Sequence, residues 1–307
     1  MKQHSLYLLA LGSMLVACQP QDATKSASTA AAVAPNTPQI ATTPDGVHIE
    51  YRVRGSGEPT IVLVHGWSCD ANYWREQVGP LSERYRVITL DLAGHGASGR
   101  NRRDWSMRNF GTDVATVVNA VLWPNKANQQ VILVGHSMGG PVVIEAARQL
   151  PEVTLAVIGV DTYKTLGLPA AKPEEIAARV QALEADFIGR TRALVTNSFF
   201  TAKSNPAFVQ QIATDMSQAP PEVAIPAIRS LNQWHASRDL SDIKVPIIAL
   251  NADLGGVTDD ARIRKIAPTF RSVTIAGAGH FVMLEQPARF NEILLREIAG
   301  LTARVSQ

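Results

Sequence analysis

A short apolar run, residues 131–134, passes directly into Gly135-His136-Ser137-Met138-Gly139-Gly140, and a helix-like stretch over 141–150 follows. This succession of strand, sharp turn and helix limits the possible folds more than any other feature of the 307 residues. A Ser at such a turn takes a strained backbone. The residues two positions away on either side must therefore lack clashing side chains, and both are Gly. The hydroxyl then projects from the edge of a sheet, and the helix N-terminus behind it favours negative charge developing there.

The surrounding chain has the alternation such a turn needs. Continuous apolar runs at 61–64, 87–90, 131–134, 155–160, 245–250 and 273–275 read as strands covered on both faces. Asp45-Gly46, between 39–43 and 47–54, is a hairpin signal, with Val47, Ile49, Tyr51 and Val53 alternating onto one face. Phe110, Val114, Val117, Val118 and Val121 share one helical face, and Phe290, Ile293, Leu294 and Ile298 share another. Residues 162–240 break the rhythm, with no convincing strand and helical patterns at 174–187 and 208–216. That interval is too long for a plain crossover and reads as a helical cap over the sheet. The expected architecture is a mostly parallel sheet with helices on both faces. Its core comprises residues 39–161 and 241–303, with the cap inserted between them.

Four pieces in order resemble the α/β-hydrolase superfamily over about residues 39–299. His65-Gly66-Trp67 follows the first buried strand. Asp91-Leu92-Ala93-Gly94-His95-Gly96-Ala97-Ser98 follows the next. The Ser137 elbow comes third, and Gly279-His280-Phe281 follows the last strand. The resemblance implies a serine hydrolase with a Ser-His-Asp triad that cleaves a small-molecule ester, lactone or thioester through an acyl-enzyme. Ser137 would be the nucleophile and His280 the base. The backbone N–H groups of Trp67 and Met138 would form the oxyanion hole. His65, Gly66, His136 and Trp234 are candidate substrate contacts.

The triad acid has two candidates. Chain order places it between Ser137 and His280, and Asp253 fits, just after the strand at 245–250. Asn251 stands where such chains usually have Gly, however, and Asp253 comes closer to the strand than usual. Asp161, directly after Val160, is the alternative. Asp259 and Asp260 read as helix-capping carboxylates. Cys69 has no elbow around it and reads as a buried small hydrophobe. No metal-ligand spacing is present, and no metal or organic cofactor is implied.

The N-terminus has a different character. Lys2 precedes a mostly apolar segment over 5–16, which is too short to span a bilayer. Leu15-Val16-Ala17-Cys18 resembles the lipobox of a bacterial lipoprotein. This implies a signal peptide over 1–17, lipidation at Cys18 and a flexible tether over 18–38. The tether is nearly free of large apolar residues, with a reach on the order of 25 Å. The expected location is the bacterial cell envelope, with the enzyme held to a membrane by its lipid and Gln19 favouring the outer one. Cys69 would then be the only thiol of the mature chain.

The formal net charge is only +2, and no basic run or helix points to nucleic acid; Arg100-Asn101-Arg102-Arg103 reads as a solvated loop. Two other functions fit the same fold. One is a cofactor-free haloperoxidase that makes a peracid with the same triad. The other is a non-catalytic binding module, against which the retained Ser137 and His280 speak.

Overall fold

The computed structural model describes, beyond Met1, residues 36–123, 129–235 and 240–305. The expected signal peptide, Cys18 and the tether through residue 35 lie outside the described residues. A hairpin opens the fold. β1 (Gln39–Thr42) and β2 (His48–Arg54) pair antiparallel, and Gly46 takes φ 83° in the turn between them. Val47, Ile49 and Tyr51 are buried as the alternation requires.

The apolar runs form the rest of an eight-stranded sheet: β3 (Thr60–Val64), β4 (Val87–Leu90), β5 (Val131–His136), β6 (Thr154–Val160), β7 (Ile247–Ala252) and β8 (Phe270–Ile275). The order across the sheet is β1-β2-β4-β3-β5-β6-β7-β8. The pairings from β4 through β8 are parallel, and those of β1 and β2 are antiparallel. Every residue of β3, β4, β5 and β7 is buried, as continuous apolar strands between two helical layers must be.

Helices cover both faces. α1 (Arg75–Ser82) lies between β3 and β4, α2 (Met107–Leu122) between β4 and β5, and α3 (Gly139–Gln149) between β5 and β6. Ser106 caps α2 by accepting from the Asn109 N–H, and Phe110, Val114, Val117 and Val118 bury its apolar stripe.

Between β6 and β7 the chain runs through four helices: α4 (Pro173–Ala185), α5 (Phe187–Ser198), α6 (Pro206–Ser217) and α7 (Pro221–His235). Pro173, Pro206 and Pro221 each open a helix, where a missing N–H costs nothing and a fixed φ helps. Three contacts fasten α7 to the core. Trp67 Nε1 donates to the Ala224 carbonyl at 2.7 Å, Trp234 Nε1 to Glu145 Oε1 at 2.7 Å, and the Met107 N–H to Ser230 Oγ at 3.2 Å. After β7 come α8 (Asp260–Ile263), then β8, α9 (Val282–Glu285) and α10 (Pro287–Val305).

Arg102 corrects the solvated-loop expectation, because its guanidinium is buried. It donates to Asp113 at 2.6 and 3.0 Å and to Asp45 at 2.8 and 3.2 Å.

Candidate active site

The elbow has the geometry its glycines imply. Ser137 sits at φ 52°, a left-handed backbone that only the surrounding contacts can hold. Its N–H donates to the Val160 carbonyl at 3.0 Å, and its own carbonyl accepts from the Gly140 N–H at 2.9 Å. A Cβ on Gly135 would lie 2.1 Å from the Gly139 carbonyl oxygen, and one on Gly139 would lie 2.6 Å from that of Val64. Both glycines are therefore sterically required. Tyr163 buttresses the turn from the next strand, its hydroxyl donating to the Gly140 carbonyl at 2.7 Å.

His280 lies in the turn between β8 and α9. Its N–H donates to the Phe199 carbonyl at 2.7 Å, and its carbonyl accepts from His136 Nε2 at 2.9 Å. Its ring packs between Phe199, with centroids 4.4 Å apart, and His136, at 4.7 Å. The clamp from His136 requires a proton on its Nε2. Burial, with His280 as a secondary influence, lowers the His136 pKa to about 3 and keeps the ring neutral.

His280 Nδ1 donates to Asp161 Oδ2 at 2.6 Å. Asp161 follows β6 immediately, at φ 42°. Its Oδ1 accepts from the Ala252 N–H at 3.1 Å and faces Lys164 Nζ at 2.9 Å. Burial pushes this carboxyl upward, but the hydrogen bond and charge of His280 and the ammonium of Lys164 outweigh burial and hold it below the ordinary 3.8.

Asp253, the first-choice acid, is not the partner of His280. β7 ends at Ala252, and Asp253 turns outward, exposed, to accept from the Gly277 N–H at 2.8 Å. It ties the loop after β7 to the loop after β8. The position beside the imidazole is filled from β6, the strand next to β7.

Ser137 and His280 line one cavity of about 510 Å³ between the sheet and the cap. Gly66, Trp67 and His136 line it from the core. Val180 and Leu183 of α4, Leu194 of α5, Met216 of α6, and Ile228 and Leu231 of α7 line it from the cap. Among the described residues, neither Ser137 Oγ nor His280 Nε2 makes a hydrogen bond. The Trp67 and Met138 backbone N–H groups likewise donate to no acceptor among them. The Met138 side chain is fully buried.

Two expected substrate contacts are corrected. His65 is buried outside the cavity. Its Nδ1 bonds the Gly66 carbonyl at 2.8 Å and its Nε2 accepts from the Leu92 N–H at 3.0 Å, so the ring braces the turn after β3. Trp234 is also absent from the lining, and its indole instead anchors α7 to α3. Sequence reasoning missed Lys164, whose signal was a cation three residues after Asp161, and Phe199, which packs on His280. Burial lifts the pKa of the Cys69 thiol well above its ordinary value, so it stays an unreactive thiol lining the same cavity.

This sheet with its strand-to-helix serine elbow defines a hydrolase of the α/β type. The chain belongs to the Alpha/beta hydrolase family, whose model matches residues 61–293. It is 26% identical over 260 residues, 79% of this chain and 95% of the other, to the pimeloyl-[acyl-carrier protein] methyl ester esterase of Pectobacterium carotovorum subsp. carotovorum (strain PC1). A thermophilic esterase from Thermogutta terrifontis superposes with a TM-score of 0.73 at 23% identity, covering 86% of this chain and 99% of that one. A bromoperoxidase from Bacillus anthracis shares the fold with a TM-score of 0.69 at 20% identity, covering 86% and 100%.

Proposed function

We propose that the protein cleaves carboxylic esters, lactones and thioesters among them, through an acyl-enzyme on Ser137. The observation that carries this reading is the 2.6 Å bond between His280 Nδ1 and Asp161 Oδ2, behind a cavity that His280 shares with the left-handed Ser137. Ser137 Oγ attacks the carbonyl carbon as its proton passes to His280 Nε2. Asp161 fixes the Nδ1–H tautomer and stabilises the imidazolium. The tetrahedral oxyanion accepts from the Trp67 and Met138 N–H groups, each worth about 3–4 kcal/mol in the transition state. Collapse breaks the ester C–O bond, and the leaving oxygen takes the proton from His280. Water then repeats the sequence on the acyl-enzyme and releases the acid. The methyl ester esterase named among the relatives supports an ester substrate.

A fluorophosphonate probe tests the reading. The expected adduct, mapped by mass spectrometry, is on Ser137, is absent in Ser137→Ala and is strongly slowed in His280→Ala. A folded protein that takes no label would overturn it.

We also propose export and lipidation at Cys18, with the enzyme held to the outer membrane. The apolar segment ending at Leu15-Val16-Ala17-Cys18 supports this. Radiolabelled palmitate should enter the full-length chain and not Cys18→Ser; equal labelling of the two would count against it.

A further inference from the structure

The cavity carries charge of one sign only. Arg179 on α4 and Arg190 on α5 both line it, and no carboxylate is among its lining residues. On α4, Arg179, Val180, Ala182 and Leu183 share the face turned to the cavity; on α5, Arg190 and Leu194 stand one turn apart on theirs. Among the described residues, neither guanidinium makes an ion pair or a side-chain hydrogen bond. Nearby carboxylates are engaged elsewhere. Glu184 pairs with Arg229 at 3.3 Å, Glu175 accepts from the Lys172 N–H at 3.4 Å, and Asp186 caps α5 by accepting from the Gly189 N–H. Both residues are solvent-exposed, so two hydrated cations from adjacent helices border, without protein counter-ions, the apolar space that also touches Ser137 and His280. A ligand covalently held at Ser137 can extend through that space to both.

We propose that the site selects esters whose apolar portion ends in an anionic group, carboxylate or phosphate, bound by Arg179 and Arg190. This rests on the ester-cleaving reading of the same site. The apolar lining from the cap and Trp67 takes the chain, and the paired guanidiniums take the anion in the forked geometry that suits planar or tetrahedral oxyanions. A neutral ester of equal length would fill the cavity and leave both guanidiniums to water.

The test uses p-nitrophenyl esters of matched chain length ending in methyl, carboxylate or phosphate. The readout is the ratio of kcat/KM for charged over neutral ester in the wild-type, Arg179→Gln, Arg190→Gln and doubly substituted proteins, each checked for folding by thermal melting. The wild-type protein should prefer one or both anionic esters. The double substitution should lower that ratio by about tenfold, the scale of one charge-assisted hydrogen bond, and added salt should erode the wild-type preference. The larger loss, on carboxylate or on phosphate, identifies the anion. A wild-type ratio near one, or a preference that survives the double substitution, overturns the proposal. Failure of the underlying reading would look different, with none of the three esters cleaved in a Ser137-dependent way.

Discussion

The carboxylate of Asp161 meets His280 Nδ1, the Ala252 N–H and the ammonium of Lys164, while its backbone is held in the left-handed region. That convergence makes the acid's identity testable. In Asp161→Asn the side-chain amide cannot stabilise an imidazolium and can present N–H to Nδ1, favouring the wrong tautomer. We expect kcat to fall by about 10⁴. Asp253→Asn touches only a loop contact to Gly277, whose N–H the amide oxygen can still accept, and should stay within about threefold of wild type, a small surface effect. Comparable losses in the two variants would refute the assignment. The lowered pKa of Asp161 also has a sign. Its contribution to stability is complete above the ordinary value of 3.8 and is lost as the pH falls through the lower folded value.

At the scale of elements, the parts read most easily from sequence are those whose physics is local. Buried strands of four to seven residues announce themselves as apolar runs, and the elbow by the glycines its sterics demand. The stretch between β6 and β7 is legible as helical but not helix by helix. The pattern at 174–187 is two helices, α4 ending at Ala185 and α5 starting at Phe187. Pro220-Pro221 reads as a break and stands between α6 and α7, with Pro221 opening α7, whereas Pro226 lies inside that helix. Asp161 and Asp253 follow neighbouring strands, and only the path of each loop decides which one faces His280. Arg102 was misread for a similar reason, because its two partners are distant in sequence. It joins the β1–β2 turn, through Asp45, to α2, through Asp113. Removing it leaves the Asp113 charge buried and unpaired, so Arg102→Ala should cost about 3–5 kcal/mol in a urea melt. Arg102→Met with Asp113→Leu should recover part of that. Recovery stays incomplete because the Ala93 N–H, which donates to Asp113 at 3.0 Å, loses its acceptor. A cost under about 1 kcal/mol for Arg102→Ala, the range of an exposed pair, would mean the guanidinium is solvated after all.

At the scale of the whole fold, three histidines among the described residues are held in the neutral form. Burial, the largest influence on each, lowers the pKa of His65 and brings those of His95 and His136 to about 3. His65 and His95 stand with ring centroids 5.0 Å apart, so charging either one disfavours charging the other. Unfolding frees all three to take protons near their ordinary 6.5. Between pH 6.5 and 3 the unfolded chain therefore binds more protons than the folded one, and stability falls as the pH falls. His95 and His136 should each remove about 2 kcal/mol between pH 6.5 and 5, at about 1.4 kcal/mol per pH unit once titrating, and His65 acts in the same direction. That is a large share of a typical domain's stability of about 5–15 kcal/mol. Acid should thus unfold the protein while Asp161 is still ionised, and activity should disappear with the fold because His136 also clamps the His280 carbonyl. Urea melts at pH 7, 6 and 5 measure the slope. His95→Asn, whatever its absolute stability, should give a shallower one, and a wild-type stability that stays level from pH 7 to 5 would show that these imidazoles can take protons without unfolding the chain.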